Sequence, residues 1–152
     1  MSEAVSIERA SMRDVALLVE MVREYWAFES IGGFDAGRAA KALAMLLSSP
    51  HYGAAWIARV GDRAAGYLVA CYVFSLERSG ITAELDEFFV RPDFRGASLG
   101  RRLLESAETE FRLAGCSGVF MEVGRDNDAA RRFYERQGYR VREAFGLMAK
   151  PL

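Results

Sequence analysis

The sequence predicts an α+β (mixed α/β) domain that is built on one sheet, with helices on the faces of that sheet. Short turns connect the strand-like segments of the first half, which is typical of antiparallel pairing. The second half alternates strand-like and helical segments, which indicates parallel or crossover connections. A chain of 152 residues with 51% hydrophobic and 27% charged residues fits one globular domain. We therefore predict a single domain over residues 1–152.

The first third of the chain predicts one strand and two helices. The segment "AVSIERA" alternates apolar and polar residues, as a half-buried strand does. Ser11 and Asp14 have the spacing of a capping box, so they mark the start of the first helix. The segment "ESIGGFD" ends that helix, and Asp35 caps the second one.

The remaining chain predicts five strands and two helices. The strands "AAWIARV" and "AAGYLVACYVF" flank a "GDR" turn with hairpin chemistry, and "ITAELDEFFV" is the next strand. A helix from about Ser98 to Leu113 ends at Gly115, and the strand "SGVFMEVG" follows. The helix "NDAARRFYERQG" then precedes a final strand, "YRVREAFGLMAK". The element order is therefore β-α-α-β-β-β-α-β-α-β.

Composition argues against several classes of protein. The net charge of −1 gives no reason to expect a nucleic-acid partner. The apolar runs are far shorter than the roughly 20 residues that span a bilayer. The segment "MSEAVSIERA" lacks the features of a secretion signal, so we expect a cytoplasmic protein with no membrane partner. Cys71, Cys116 and His51 have no familiar metal-ligand spacing, and no metal site is expected.

Small residues separate the strand that ends at Val90 from the helix that follows it. The turn "RGASLG" lies between them, in a setting rich in arginine. The first N–H groups of a helix have no partner within the helix and carry the positive end of its dipole, so a phosphate can bind there. The turn lacks the Gly-Lys-Ser/Thr ending of a nucleotide phosphate loop, and no early strand carries a dinucleotide fingerprint. Taken alone, the turn fits an anion site and a plain tight connection equally well.

A second notable segment is "NDAARRFYERQGY". Asn127 and Tyr134 lie seven residues apart, which is nearly two helical turns, so both can face the same side. Core packing is the alternative for Tyr134, because a helix of this length needs an apolar stripe.

Together, "ELDEFFVRPDFRGASLGRRLL" and "NDAARRFYERQGY" resemble the GCN5-related N-acetyltransferase (GNAT) superfamily. Its members show an Arg/Gln-x-x-Gly-x-Gly/Ala turn and a later Asn…Phe-Tyr-x-x-x-Gly-Phe/Tyr run. Arg95 matches the first position of that turn and Gly100 the last, whereas Ser98 departs from the central glycine. The resemblance implies a central, mixed, mostly antiparallel sheet of six to seven strands that is flanked by about four helices. The sheet would be splayed between its fourth and fifth strands, with acetyl-CoA in the gap.

The resemblance also implies roles for individual residues. The strand end at Phe88, Phe89 and Val90 pairs through its backbone with the pantetheine arm. Asn127 forms a hydrogen bond on the cofactor side, and Tyr134 lies near the thioester sulfur. The pyrophosphate cradle consists of Arg95, Gly96, Ala97, Ser98, Leu99, Gly100 and Arg101.

Glu84, Asp86 and Glu87 form the acidic cluster nearest to the expected cofactor strand. An alkyl ammonium with a pKa of about 10.4 must lose a proton before it attacks a thioester, so a carboxylate acting through water is a candidate base. In a regular strand Glu84 and Asp86 share one face while Glu87 lies on the other, and a bulge changes that parity. We favour Glu84 or Asp86 as the base, and Glu87 ranks third. Attraction of a cation, or a plain exposed strand face, is the alternative.

The expected function is transfer of an acetyl group from acetyl-CoA to a primary amine of a small cationic molecule. Three alternatives stay open. One is an acyl-CoA-binding sensor without turnover, another is acetylation of a protein lysine or N-terminus, and the third is a structural domain that binds no CoA. The resemblance also leaves a homodimer open.

Overall fold

The computed structural model describes residues 3–152, which form one sheet, four α-helices and two single 3₁₀ turns. The strands are β1 (Val5–Arg9), β2 (Gly53–Val60), β3 (Arg63–Ser75), β4 (Gly80–Val90) and β5 (Val119–Met121). The helices are α1 (Val15–Phe28), α2 (Ala36–Ser48), α3 (Leu99–Leu113) and α4 (Asp128–Arg136). The 3₁₀ turns are Met12–Asp14 and Pro92–Phe94.

The sheet has the order β1-β2-β3-β4-β5. Its first three pairings are antiparallel, and β4 pairs with β5 in parallel. Val60 pairs with Arg63, so only Gly61 and Asp62 form the hairpin between β2 and β3. The predicted mixed, mostly antiparallel sheet is therefore confirmed.

The number of strands differs from the prediction of six to seven. The described residues form five strands. The final predicted strand is wrong, since residues 139–152 contain neither helix nor strand. Only residues 139–142 of that segment alternate clearly in polarity, and a strand forms only where a neighbouring chain segment supplies its hydrogen-bond partners. β5 is likewise shorter than the predicted "SGVFMEVG".

Helix starts follow the predicted capping residues. The Asp14 carboxylate accepts a hydrogen bond from the Ser11 N–H (2.8 Å) just before α1 begins. Asp35 Oδ1 accepts from the Arg38 N–H (2.8 Å) at the start of α2. These short-range bonds satisfy amides that a helix leaves unpaired, which explains why local sequence was sufficient to predict them.

The two faces of the sheet are covered by different helices. α1 and α2 pack on one face, where Tyr67, Val69 and Phe89 contribute to a buried apolar cluster. α3 packs on β2, β3 and β4, with Phe111 edge-on to Trp56 at a centroid distance of 5.5 Å. The buried residues of α3 are Leu99, Leu103, Leu104, Ala107 and Phe111.

The chain divides into two compact units between Glu122 and Val123. The first unit contains the sheet and α1 to α3, and the second contains α4 and the C-terminal segment. The single-domain assignment stays a prediction. Among the described residues, no helix is sufficiently long and apolar to cross a membrane.

Candidate active site

The pairing of β4 with β5 ends well before β4 does. β5 pairs with β4 only over Ala83–Leu85, although β4 continues to Val90. The edge of β4 that includes Phe88, Phe89 and Val90 therefore extends past its β5 partner, while its other edge remains paired with β3. A strand edge of this kind presents N–H and C=O groups to a further extended partner. This stretch of β4 beyond Leu85 lies where the sequence resemblance implied a splay between the fourth and fifth strands.

The small-residue turn follows directly. Gly96 has a φ of +86° and Ser98 a φ of +59°, so both adopt left-handed backbone conformations before α3 begins at Leu99. The Arg102 N–H donates to the Ser98 carbonyl (3.0 Å) in the first turn of the helix. The amides that precede Arg102 at the helix start have no intrahelical acceptor. Leu99 is buried and anchors this end of α3 to the sheet.

The arginines near the turn differ in their partners. Arg91 forms a two-point ion pair with Glu24 (2.7 and 2.6 Å), and Arg101 lies 3.7 Å from Glu105. Arg95 is exposed, its guanidinium lies 4.5 Å from the Phe28 ring centroid, and its Nε donates to the Val90 carbonyl (3.1 Å). Arg95 therefore presents a positive charge next to the end of β4.

A bulge interrupts β4 at Asp86. Val69 pairs with Glu87 whereas the next residue, Ala70, pairs with Leu85, so Asp86 is the extra residue. Glu84 pairs with Cys71, two residues from Val69. Directly opposed residues share a face, and residues two apart in a strand share a face. Glu84 and Glu87 therefore share the face of the sheet that α1 and α2 cover, which differs from the parity of a regular strand.

Both oxygens of the Glu87 carboxylate accept hydrogen bonds. Trp26 Nε1 donates to Oε1 (2.6 Å) and Tyr67 Oη donates to Oε2 (2.7 Å). Burial raises the pKa of Glu87, and the bonds from Tyr67 and Trp26 act in the opposite direction. Tyr67 is fully buried, and burial together with the Glu87 charge raises its pKa. Tyr67 is therefore a neutral donor.

The other two acids of the cluster have different surroundings. Asp86 is solvent-exposed, yet partial desolvation by the surrounding protein still raises its pKa. Glu84 is half-buried, in the part of β4 that pairs with β5. Asp86 thus combines solvent access with a raised pKa, whereas Glu87 is half-buried and accepts a hydrogen bond at each oxygen.

Trp26 and Tyr67 were not predicted from the sequence as site residues. A signal existed for Tyr67, because a phenol within the apolar strand "AAGYLVACYVF" needs a hydrogen-bond partner once it is buried. Nothing in the sequence points from Trp26 to Glu87, which lies 61 residues away.

The second unit contains Asn127 and Tyr134. Asn127 caps α4, because its Oδ1 accepts the Ala130 N–H (3.1 Å). Tyr134 lies within α4, and its ring meets those of Phe133 and Tyr139 edge-on at 5.3 and 5.7 Å. Asn127 thus has a local structural role, and the cofactor role of each residue stays a prediction.

Comparison with known proteins identifies the family. The Acetyltransferase (GNAT) family matches residues 18–139, which is most of the chain, and the chain therefore belongs to that family. An integron cassette protein from the Cole Harbour Salt Marsh metagenome has a similar structure, with a TM-score of 0.85, 27% identity, and coverage of 96% of this chain and 90% of that one.

Two curated relatives share part of the sequence. The "IAA acetyltransferase" of Azospirillum brasilense is 37% identical over an alignment of 99 residues that covers 59% of this chain and 65% of the relative. The "Aminoalkylphosphonate N-acetyltransferase" of Salmonella typhimurium is 36% identical over 67 residues, 44% of each chain. The chain thus spans less than two thirds of the length of these relatives.

Proposed function

We propose that this protein transfers an acetyl group from acetyl-CoA to a primary amine of a small cationic molecule, by direct attack in a ternary complex. The main support for this proposal is the end of β4, which extends past its pairing with β5. This end is followed directly by the left-handed turn and the start of α3. Membership of the acetyltransferase family supports the transfer of an acetyl group. One similar protein is named for an aminoalkylphosphonate, an amine-bearing molecule, which supports a small acceptor.

The turn has the chemistry that a pyrophosphate requires. Residues 95–101 offer helix-start amides, the exposed Arg95 guanidinium and the Ser98 hydroxyl. Amides at the positive end of a helix bind phosphate oxygens, and a guanidinium adds a paired donor. The backbone of Phe88, Phe89 and Val90 would then pair with the extended pantetheine arm, as one more strand pairs with an edge.

The acidic cluster supports a cationic acceptor. The charges of Asp86 and Glu87 attract an ammonium ion, and one proton must leave it before the nitrogen can attack. In our proposal that proton passes through water to Asp86 or Glu84, and Glu87 is the third candidate. The nitrogen then bonds to the acetyl carbon as the C–S bond breaks. The nitrogen loses a second proton as the amide forms, and the departing sulfur gains one.

Two experiments together test this function. Calorimetry measures acetyl-CoA binding, and a thiol-release assay follows turnover over a panel of diamines, amino sugars, aminoalkylphosphonates and a lysine peptide. We expect binding, together with thiol release from a small amine. Arg95→Ala should weaken acetyl-CoA binding, whereas Arg112→Ala, an exposed arginine late in α3, serves as the control. Binding without thiol release from any amine would instead support the sensor alternative, for which the departure at Ser98 leaves room.

Tyr134→Phe tests the predicted role of the phenol. If Tyr134 donates a hydrogen bond to the developing thiolate, its removal should lower kcat by about 10²-fold, the scale of losing one donor to a developing anion. The affinity for acetyl-CoA should change little, because the bond strengthens only as the C–S bond breaks. Tyr139→Phe, the neighbouring tyrosine, provides the matched control. An unchanged kcat in Tyr134→Phe would remove this residue from the mechanism.

A further inference from the structure

We infer that Trp26 and Tyr67 are positioning residues that hold the Glu87 carboxylate and thereby fix the β4 bulge that presents Asp86 to the acceptor amine. This inference rests on the proposed function, because it gives these residues a positioning role in that reaction. The three residues Trp26, Tyr67 and Glu87 are called the clamp below.

The clamp joins three elements at one carboxylate. Trp26 comes from the last turn of α1, Tyr67 from the middle of β3, and Glu87 from β4. Each donor bonds a different oxygen, at 2.6 and 2.7 Å, so the carboxylate is restrained in both position and rotation. The indole itself packs edge-on against Phe34 at a centroid distance of 5.8 Å, which restrains the donor as well.

The bulge needs such a restraint. Asp86 has no partner in the β3 register, so the ladder alone does not determine its conformation. Glu87 is the first residue after the bulge that pairs with β3. A clamp on its side chain therefore fixes the backbone on one side of Asp86, while the pairing of Leu85 with Ala70 fixes the other.

The clamp also separates the roles of the two acids. Trp26 and Tyr67 both donate to Glu87, and hydrogen bonds of this kind stabilise the ionised carboxylate. In this inference Glu87 stays ionised and attracts the ammonium ion, and it does not take up the proton. Asp86, which is solvent-exposed, takes up the proton that the ammonium releases through water.

Substitutions within the clamp test this assignment. Tyr67→Phe removes one hydrogen bond to a charged group and should lower kcat by about tenfold, with KM for acetyl-CoA unchanged. Glu87→Ala should lower kcat further. Glu87→Gln should restore part of that loss, because an amide can accept from Trp26 and donate to the Tyr67 oxygen.

Matched controls on the opposite face separate positioning from stability. Trp56 Nε1 donates to Glu110 Oε1 (2.9 Å), so Trp56→Phe breaks a similar tryptophan–glutamate bond beneath α3. Tyr72 lies on β3, the strand that also contains Tyr67, and its ring packs against Phe111. Tyr72→Phe removes the hydroxyl of this second β3 tyrosine. Both variants should keep the kcat of the wild type, even where their Tm falls.

The outcomes are distinguishable. If Tyr67→Phe lowers Tm but leaves kcat unchanged, the clamp is purely structural and the inference is wrong. Equal kcat in Glu87→Ala and Glu87→Gln would likewise contradict it. Wild-type protein that binds acetyl-CoA but releases no thiol with any amine contradicts the proposed function itself, and the inference falls with it.

Discussion

At Gly66 the backbones of β3 and β4 approach too closely for a side chain. A Cβ atom there would lie 2.6 Å from the Phe89 carbonyl oxygen and 3.1 Å from Val90 Cα. Gly66 pairs with Val90, at the end of the strand edge proposed to bind the pantetheine arm. The residue identity at this position therefore controls the spacing of the two strands beside the candidate site.

Gly66→Ala should lower the free energy of unfolding by about 1–3 kcal/mol, because the added methyl group must push the strands apart. Acetyl-CoA binding should weaken as well. Denaturant unfolding and calorimetry measure the two effects. Gly32→Ala is the control, because a Cβ atom there would meet nothing within 4 Å. Equal stability in the two variants would show that the sheet absorbs the methyl group without cost.

At the scale of the element, the start of α3 depends on one unusual backbone conformation. Ser98 precedes the helix with a φ of +59°, a region that glycine adopts without the steric cost that other residues carry. This conformation explains why a glycine is expected at this position of the family turn. Ser98 keeps the geometry of the turn, at a cost in stability.

Ser98→Gly should stabilise the protein by up to about 1 kcal/mol, since relief of the left-handed strain outweighs the added chain entropy. Acetyl-CoA affinity should rise only if the closer approach of the backbone to the phosphates outweighs the loss of the Ser98 hydroxyl as a donor. Ser79→Gly is the matched control. Ser79 has the same φ of +59°, but it lies in the turn between β3 and β4. A Ser98→Gly variant with a lower Tm would contradict this interpretation.

The start of α4 separates two possible roles of Asn127. Asn127→Asp keeps an oxygen to accept the Ala130 N–H, so Tm should stay close to that of the wild type. The variant loses the amide donors and adds a negative charge, so acetyl-CoA affinity should fall if Asn127 contacts the cofactor. Asp35→Asn makes the reverse exchange at the α2 cap and should leave the affinity unchanged. Unchanged affinity in both variants would leave Asn127 with its capping role alone.

At the scale of the whole molecule, Asp86 couples stability to pH. Desolvation raises the pKa of Asp86 in the folded protein above the ordinary value of 3.8, which applies to the unfolded chain. Between the unfolded and the folded pKa, the folded protein therefore binds a proton that the unfolded chain releases. Stability therefore falls as pH rises through that window. At neutral pH the ionised Asp86 destabilises the fold in order to supply a solvent-accessible base, and the clamp must hold this destabilised conformation.

Asp86→Asn should raise Tm at neutral pH, because asparagine has no charge to desolvate. The difference from wild type should shrink as the pH falls toward the ordinary value of 3.8, where Asp86 is increasingly protonated. Asp86→Glu keeps an ionisable group and should retain the pH dependence. Thermal unfolding across mildly acidic to neutral pH measures all three proteins. A difference that is constant with pH would show that ionisation of Asp86 is not its cause.

Local sequence was sufficient to predict much of the fold. The caps at Asp14 and Asp35, the hairpin at Gly61–Asp62 and the bounds of α3 depend on residues within a few positions of one another. The family membership also followed from two short motifs, and the family match confirms it. Cap and turn chemistry of this kind is readable from sequence because its partners are sequence neighbours.

Tertiary structure alone decided the arrangement of the acids and the extent of the sheet. The parity of Glu84 and Glu87 depends on a bulge that appears only in the register with β3, and the donors to Glu87 come from 61 and 20 residues away. The predicted last strand is wrong for the same reason, since the sequence of a segment does not by itself supply the hydrogen-bond partner that a strand needs. The sequence thus determined which residues are available for the chemistry. Long-range pairing determined which of them meet.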